Sequence, residues 1–229
     1  MCEHLLSTKI IARRAFVRQG RVYLYTLLRD LLLEPMDQNL FERLSKDQYL
    51  VELSEFSEGA KQIVEFLKEQ VDSDRNDRLK QAEEEYMRLF VGPGHVKAPI
   101  WESVYFDREG LLFGENTLQV RAFYEKHGLE FQFKNQQPED HMAVELDFML
   151  FLLQKESESK CNCDLLSVIK EQKEFLQNHI LAWYHLFAEK IIKHSHSKLY
   201  VGIAYLLVEA VQMDVETLIE KEGELINVK

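Results

Sequence analysis

The feature that most constrains this chain is its shortage of backbone punctuation: 229 residues contain only 4 prolines and 9 glycines. Proline removes a backbone donor and glycine costs more entropy to order, so both interrupt regular elements. Between these interruptions apolar residues recur at three- and four-residue spacing, the mark of a helix with one buried face. In VYLYTLLRDLLLE, Tyr23, Leu27 and Leu31 trace such a face, with Leu24 and Leu28 beside them. Strand alternation joined by hairpin turns is missing. The expected class is therefore all-α, a two-lobed helical bundle joined by a long irregular loop. Helices are expected near residues 13–33, 38–50, 55–71, 75–91, 117–127, 138–156, 164–193 and 198–221.

Local signals suggest where some helices end. Asn116 or Thr117 is placed to cap the helix beginning LQVRAFYEKH, and Gly128 to close it in a left-handed conformation. Pro138 suits a first helical position, with Glu139 and Asp140 in the first turn. Asp164 ends the polar loop SESKCNCD as the expected cap of the next helix. One stretch breaks the pattern. GPGHVKAPIWESVYFDREG, residues 92–110, holds two of the four prolines together with Trp101, Tyr105 and Phe106. Long connections in helical chains tend to be functional or to join lobes. This one is expected outside regular helix, with lobes 1–91 and 114–229 joined through 92–113 in one compact unit.

Composition narrows the function. Lys plus Arg total 28 against 39 Asp plus Glu, a formal net charge of -11. Nucleic-acid binders neutralise phosphates with cations, so a nucleic-acid partner is not expected, whereas attraction to basic peptides is permitted. No apolar run reaches the roughly 18 residues of a membrane span, so a soluble, intracellular protein is expected. The odd set Cys2, Cys161 and Cys163 makes no disulfide framework and points to a reducing compartment. Cys161-Asn162-Cys163 lacks the two-residue spacer and second half-site of a metal or redox pair, and reads as incidental.

Motifs that carry chemistry are sparse. Gly92-Pro93-Gly94 is not followed by the lysine and Ser/Thr of a phosphate loop and reads as a helix stop. His141 and Glu145 stand one helical turn apart beside Asp140, which invites a metal or acid-base reading. A lone carboxylate–histidine pair is more often a structural contact or a recognition site. His194-Ser195-His196 reads as an exposed polar turn. His179 and Trp183 fall in a stripe with Ile169, Leu176, Ile180, Phe187 and Ile191, as in a core helix carrying a partly buried histidine. No nucleophile signature is present. No catalytic residue, metal or cofactor is expected, and the alternative is a metal-dependent helical enzyme using His141, Glu145 and His179.

ARRAFVR, residues 12–18, approximates a twin-arginine export signal. Such a signal needs an apolar core of roughly 7–15 residues and a small-residue cleavage site. Here Arg29 and Asp30 interrupt the apolar residues that follow, so Arg13 and Arg14 are expected at the start of an ordinary first helix.

Several segments, taken in order, carry a resemblance. EEYMRLFVGPG followed by PIWESVYFDREGLLFG, then QPEDHMAVELDFMLFL, then FLQNHILAWYHLFAEKI resemble the TorD/DmsD family of redox-enzyme maturation chaperones across residues 82–192. The first helix fits more loosely. The resemblance implies a cytoplasmic all-helical chaperone without enzymatic turnover. Its partners would be the twin-arginine leader and apo form of a molybdopterin-containing oxidoreductase, whose export it delays until the cofactor is loaded. It also implies a signal-peptide site of Tyr23, Leu89, Phe90, Pro99, Trp101, Glu102, Ser103, Tyr105, Asp140, His141 and Glu145. Ile100 and Glu102 on either side of the tryptophan depart from some relatives and bear on partner choice. A homodimer, and a client that is not exported, stay open.

A leader peptide offers two arginines, a phenylalanine and an apolar core, so its receptor needs carboxylates near an aromatic-lined groove. Trp101 and Tyr105 are expected to line it, with Asp140, Glu102 and Glu145 as acceptors and His141 as a pH reporter. The groove is expected between the Trp101 loop and a helix start at Pro138.

Overall fold

The structure is a computed structural model that describes residues 2–69, 75–93, 96–107, 112–132 and 137–227; the side chains of residues 2–16 and Arg75 fall outside that description. Helix α1 (Cys2–Leu33) starts ahead of residue 13, so the backbone of Arg13 and Arg14 lies within it while their side chains are outside the described residues. Leu24, Leu27, Leu28, Leu31 and Leu32 form its buried face, as the spacing requires.

The helix expected over 38–50 is divided. Asp37 caps α2 (Gln38–Ser45) and Asp47 caps α3 (Gln48–Leu53), each carboxylate accepting from a backbone amide three residues on, Leu40 at 2.7 Å and Leu50 at 3.0 Å. A short acidic side chain competes for the backbone and restarts the helix at Asp47. Ser57 caps α4 (Glu58–Lys68), which lies against α11 (Lys198–Asn227). Two glycines make that approach: a Cβ on Gly59 would stand 2.2 Å from the Leu206 nitrogen, and one on Gly202 would stand 2.9 Å from the Gly59 carbonyl. Glu209 of α11 accepts from the Glu58 and Gly59 amides at 3.1 and 3.3 Å, a carboxylate at the positive end of α4.

Helix α5 (Arg75–Tyr86) runs into a π-helical turn, Met87–Val91, and stops at Gly92 with φ 106°. After it come α6 (Ser103–Phe106), α7 (Glu115–Lys126) and α8 (Met142–Glu158). The long run expected over 164–193 is α9 (Asn162–Phe175), a π-helical turn Leu176–Ile180 and α10 (Leu181–His194). Its apolar stripe from Ile169 to Ile191 is buried throughout. Helix α1 packs on α8 and α11, and α10 on α11. One core cluster therefore contains residues from both expected lobes, and the 92–113 connection does not divide two separate bodies.

Four local expectations are corrected. The segment 92–110 is not wholly irregular, because Ser103–Phe106 forms one helical turn. Helix α8 starts at Met142 with His141 as its cap, its Nδ1 accepting from the Ala143 amide at 3.1 Å, so Pro138, Glu139 and Asp140 precede the helix. Helix α7 is preceded by Gly114, and Asn116 and Thr117 turn their side chains to other partners. Cys161, not Asp164, caps α9, and its sulfur is joined to Cys163 in a disulfide.

A buried ionic cluster that the sequence reading passed over ties four helices. Arg21 of α1, 1% exposed, bonds Asp214 of α11, Glu156 of α8 at 3.1 Å and Gln172 of α9. Tyr25 adds a bond to Asp214 at 2.7 Å, and Lys221 one to Glu156 at 2.6 Å. Two cations face two anions, so the buried charges balance.

Candidate functional site

The segments PIWES and EDHM meet directly. The Glu102 amide donates to the Asp140 carbonyl at 2.9 Å and the Met142 amide to the Ile100 carbonyl at 3.0 Å, an isolated antiparallel bridge. Trp101 and His141 stand opposite each other, ring centroids 5.6 Å apart and edge to face. The two segments expected to flank a groove are paired directly in one ridge, because their backbones satisfy each other's hydrogen bonds.

Beneath the ridge lies a buried polar cluster. Asp140 accepts from the Ser103 amide at 2.6 Å and the Thr117 hydroxyl at 3.0 Å, which caps α6 from a distant segment and explains the helical turn there. Glu102 accepts from Asn116 at 2.8 Å and faces His179 Nδ1 at 3.0 Å. Glu145 accepts from the Trp183 indole at 3.1 Å. All three carboxylates are 0% exposed. Glu102 and Asp140 are hydrogen-bonded inside the fold through both oxygens and Glu145 through one, so none of the three expected acceptors is presented at the surface.

Charge is managed accordingly. Burial, then the negative charges of Glu102 and Asp140, push Glu145 well above the usual carboxylate range, and the Trp183 bond offsets only part of this. The second Glu145 oxygen, Oε1, is buried without a hydrogen-bond partner, so the neutral acid is the form these surroundings favour. Burial also raises Asp140, against the lowering bonds from Ser103 and Thr117. Burial drives His141 down to about 4, so it is neutral around pH 7 rather than a reporter there.

The remaining expected residues divide. Trp101 and Tyr105 are partly buried, packed against the core with surface to spare. The Tyr105 hydroxyl donates to the Pro99 carbonyl at 2.7 Å, and its ring lies 5.2 Å from that of Trp183 with the Lys190 ammonium 5.2 Å from its centroid. Ser103 is buried under the ridge. Leu89 and Phe90 are 0% exposed: the Leu89 carbonyl anchors the loop through the Ala98 amide at 2.8 Å, and Phe90 packs on Tyr86, Phe187 and Tyr200. Tyr23 belongs to another neighbourhood, its ring 4.4 Å from Tyr49 and its hydroxyl 2.8 Å from Asp47.

Residues the sequence reading assigned elsewhere complete the site. Asn116, Thr117, His179 and Trp183 are the partners of its carboxylates, and nothing in their spacing links them to residues 102, 140 or 145. Phe106, Leu112, Phe113 and Leu118 continue the chain from the ridge with 42–57% of their surface exposed. His141 and Glu145 do not converge on a shared ligand position, since one caps α8 and the other bonds Trp183. Among the described residues, no helix is long and apolar enough to cross a membrane.

Comparison with known proteins places these segments. The family described as nitrate reductase delta subunit matches residues 53–189, which include the ridge and the cluster beneath it. A Haemophilus influenzae protein named "Probable Tat proofreading chaperone DmsD" is 33% identical over 56% of this chain and 58% of its own length. "Chaperone protein TorD" of Vibrio cholerae is 29% identical over 72% of this chain and 74% of its own. "Tat proofreading chaperone DmsD" of Salmonella typhimurium is 29% identical over 53% and 54% respectively. The chain thus spans under two thirds of the length of two of these relatives. With more than half of its residues matched and the paired ridge inside the match, the chain belongs to the family described as nitrate reductase delta subunit, the family of TorD and DmsD.

Proposed function

We propose that this protein is a cytoplasmic chaperone, without catalytic turnover, that binds the twin-arginine leader of a molybdopterin-containing oxidoreductase. It holds the apo catalytic subunit while the cofactor is loaded and delays export until then. The observation that carries this reading is the pairing of two family-matching segments at Trp101 and His141. That pairing presents aromatic surface on a rigid base, and rigid aromatic anchors contribute most of the energy of many interfaces. The leader would lie across the ridge, with its apolar core toward Phe106, Leu112 and Phe113. Its arginines would be drawn by the net charge of -11 and would stack on Trp101 or Tyr105. The buried carboxylates hold the ridge in place; direct contact with Asp140 would require its bonds to Ser103 and Thr117 to open.

Calorimetric titration with a twin-arginine leader peptide tests the reading. Binding by the wild type, weakened when both peptide arginines become lysine, is expected because lysine lacks the planar guanidinium face. No detectable binding of several such leaders, alongside unchanged folding, would overturn it.

A further inference from the structure

The first turn of α9 gathers three metal-ligating groups outside the site described above. Cys161 caps the helix, its sulfur accepting from the Asp164 amide at 3.3 Å. Cys163 Sγ lies 3.9 Å from Asp164 Oδ1. The two sulfurs and the carboxylate all fall within 4.8 Å of one another, and all three residues are exposed. The two sulfurs are joined in a disulfide, with Cα atoms 5.4 Å apart, so this grouping is that of the oxidised pair. The one-residue spacing looked incidental in the sequence because it lacks the usual two-residue spacer. Helical backbone supplies the convergence instead, by folding the capping sulfur back over the residues that follow it.

We infer that the reduced protein binds a thiophilic d10 cation, with Zn²⁺ as the representative ion, through Cys161, Cys163 and Asp164. Two thiolates and one carboxylate form a donor set that favours zinc or copper(I) over magnesium or calcium, which take oxygen ligands. Zinc accepts four ligands at roughly 2.0–2.3 Å, so three protein donors leave one position for water or for a group from a partner. The amides at the helix start favour the thiolate form that a metal requires. Exposure lets the ion enter without opening the core.

The electron balance makes disulfide and metal mutually exclusive. The disulfide takes two electrons from a reductant and becomes two thiols: a dithiol gives up two electrons and two protons and closes its own disulfide, whereas a phosphine gives two electrons and becomes the phosphine oxide, water supplying its oxygen and the two protons. Each thiol then loses its proton as it binds, so one Zn²⁺ displaces two protons in forming two zinc–sulfur bonds. A bound ion therefore protects the pair from oxidation, and oxidation abolishes the site. This inference does not depend on the chaperone reading.

The test is titration of the full-length, untagged protein with Zn²⁺ against a chromophoric chelator, under anaerobic conditions after phosphine reduction. One equivalent is expected to bind the reduced form and none the oxidised form. Cys161→Ser and Cys163→Ser are each expected to weaken binding by at least about tenfold, as losing a direct ligand should cost no less than losing a supporting contact. Asp164→Asn should weaken it as well, and Cys2→Ser should leave it unchanged. Absence of binding to the reduced protein would overturn the inference. So would affinity that survives both serine substitutions, that ignores Asp164→Asn, or that depends on Cys2.

Discussion

Glu102 Oε2 lies 3.0 Å from Nδ1 of His179, a residue 77 positions further along the chain, and neither side chain is more than 1% exposed. The contact joins the loop that carries Trp101 to the π-helical turn between α9 and α10. It also places Glu102 in a buried cluster whose negative charge, with burial, raises the pKa of Glu145, and this has a measurable consequence for stability.

Glu145 should lower stability as pH rises. Its folded-state pKa is raised above the unfolded value of about 4.5, so between those two values the unfolded chain releases a proton that the folded chain keeps. Stability then falls with rising pH from about 4.5 upward, with a slope of at most about 1.4 kcal/mol per pH unit from this group. Glu145→Gln keeps an acceptor for Trp183 and removes the titration. Urea denaturation across pH 5–8 should show the variant more stable at neutral pH and with a flatter profile; an unchanged slope would place the proton elsewhere.

On the acid side His141 should act in the opposite direction. Its folded pKa of about 4 is below the ordinary 6.5, so between these values the unfolded chain takes up a proton first and stability is lost as pH falls. His141→Asn preserves a capping acceptor for the Ala143 amide while removing the titration. The acid limb of the stability profile is expected to flatten over that window.

Arg21 should be intolerant of truncation. Arg21→Ala leaves Asp214 buried with no cation, only the Tyr25 hydroxyl, while Glu156 keeps Lys221; breaking a buried pair in this way costs about 3–5 kcal/mol. A double change, Arg21→Met with Asp214→Leu, should recover a large part of that loss by removing the uncompensated charge. Denaturation midpoints of the single and double variants measure the difference.

Two glycine-to-alanine substitutions in helices should have opposite signs. The methyl group at Gly59 collides with the backbone of Leu206, so α4 and α11 must separate, with a cost of about 1–3 kcal/mol or more. At Gly223 a Cβ meets nothing within 4 Å, and Ala should stabilise by about 0.4–1 kcal/mol. Thermal melts compare them directly.

Leader binding should separate the ridge from its support. Trp101→Ala should cost about 2 kcal/mol or more of peptide affinity if its ring is the central anchor. Asp140→Asn should instead lower the melting temperature, since its oxygens hold Ser103 and Thr117. If Asp140→Asn also cancels the arginine-to-lysine penalty while Trp101→Ala leaves it intact, Asp140 reaches the arginines in the complex.

The sequence by itself determined the all-α class, the buried stripes of α1 and of the α9–α10 run, the stop at Gly92, and the segments that carry the family resemblance. These follow from local rules, because apolar periodicity and scarce punctuation act through neighbours a few residues apart. It also singled out Trp101, Glu102, Asp140, His141 and Glu145. Only the tertiary structure decided what those residues do. Whether a carboxylate faces water or the core depends on partners such as Thr117, His179 and Trp183, which are remote in the chain. The same holds for the ridge, whose backbone pairing joins residues 100–102 to 140–142, and for Arg21, whose polar flank in the sequence conceals three buried partners. Periodicity can assign a side chain to a face, but the partner it meets there, and hence whether its charge survives burial, is set by packing between helices.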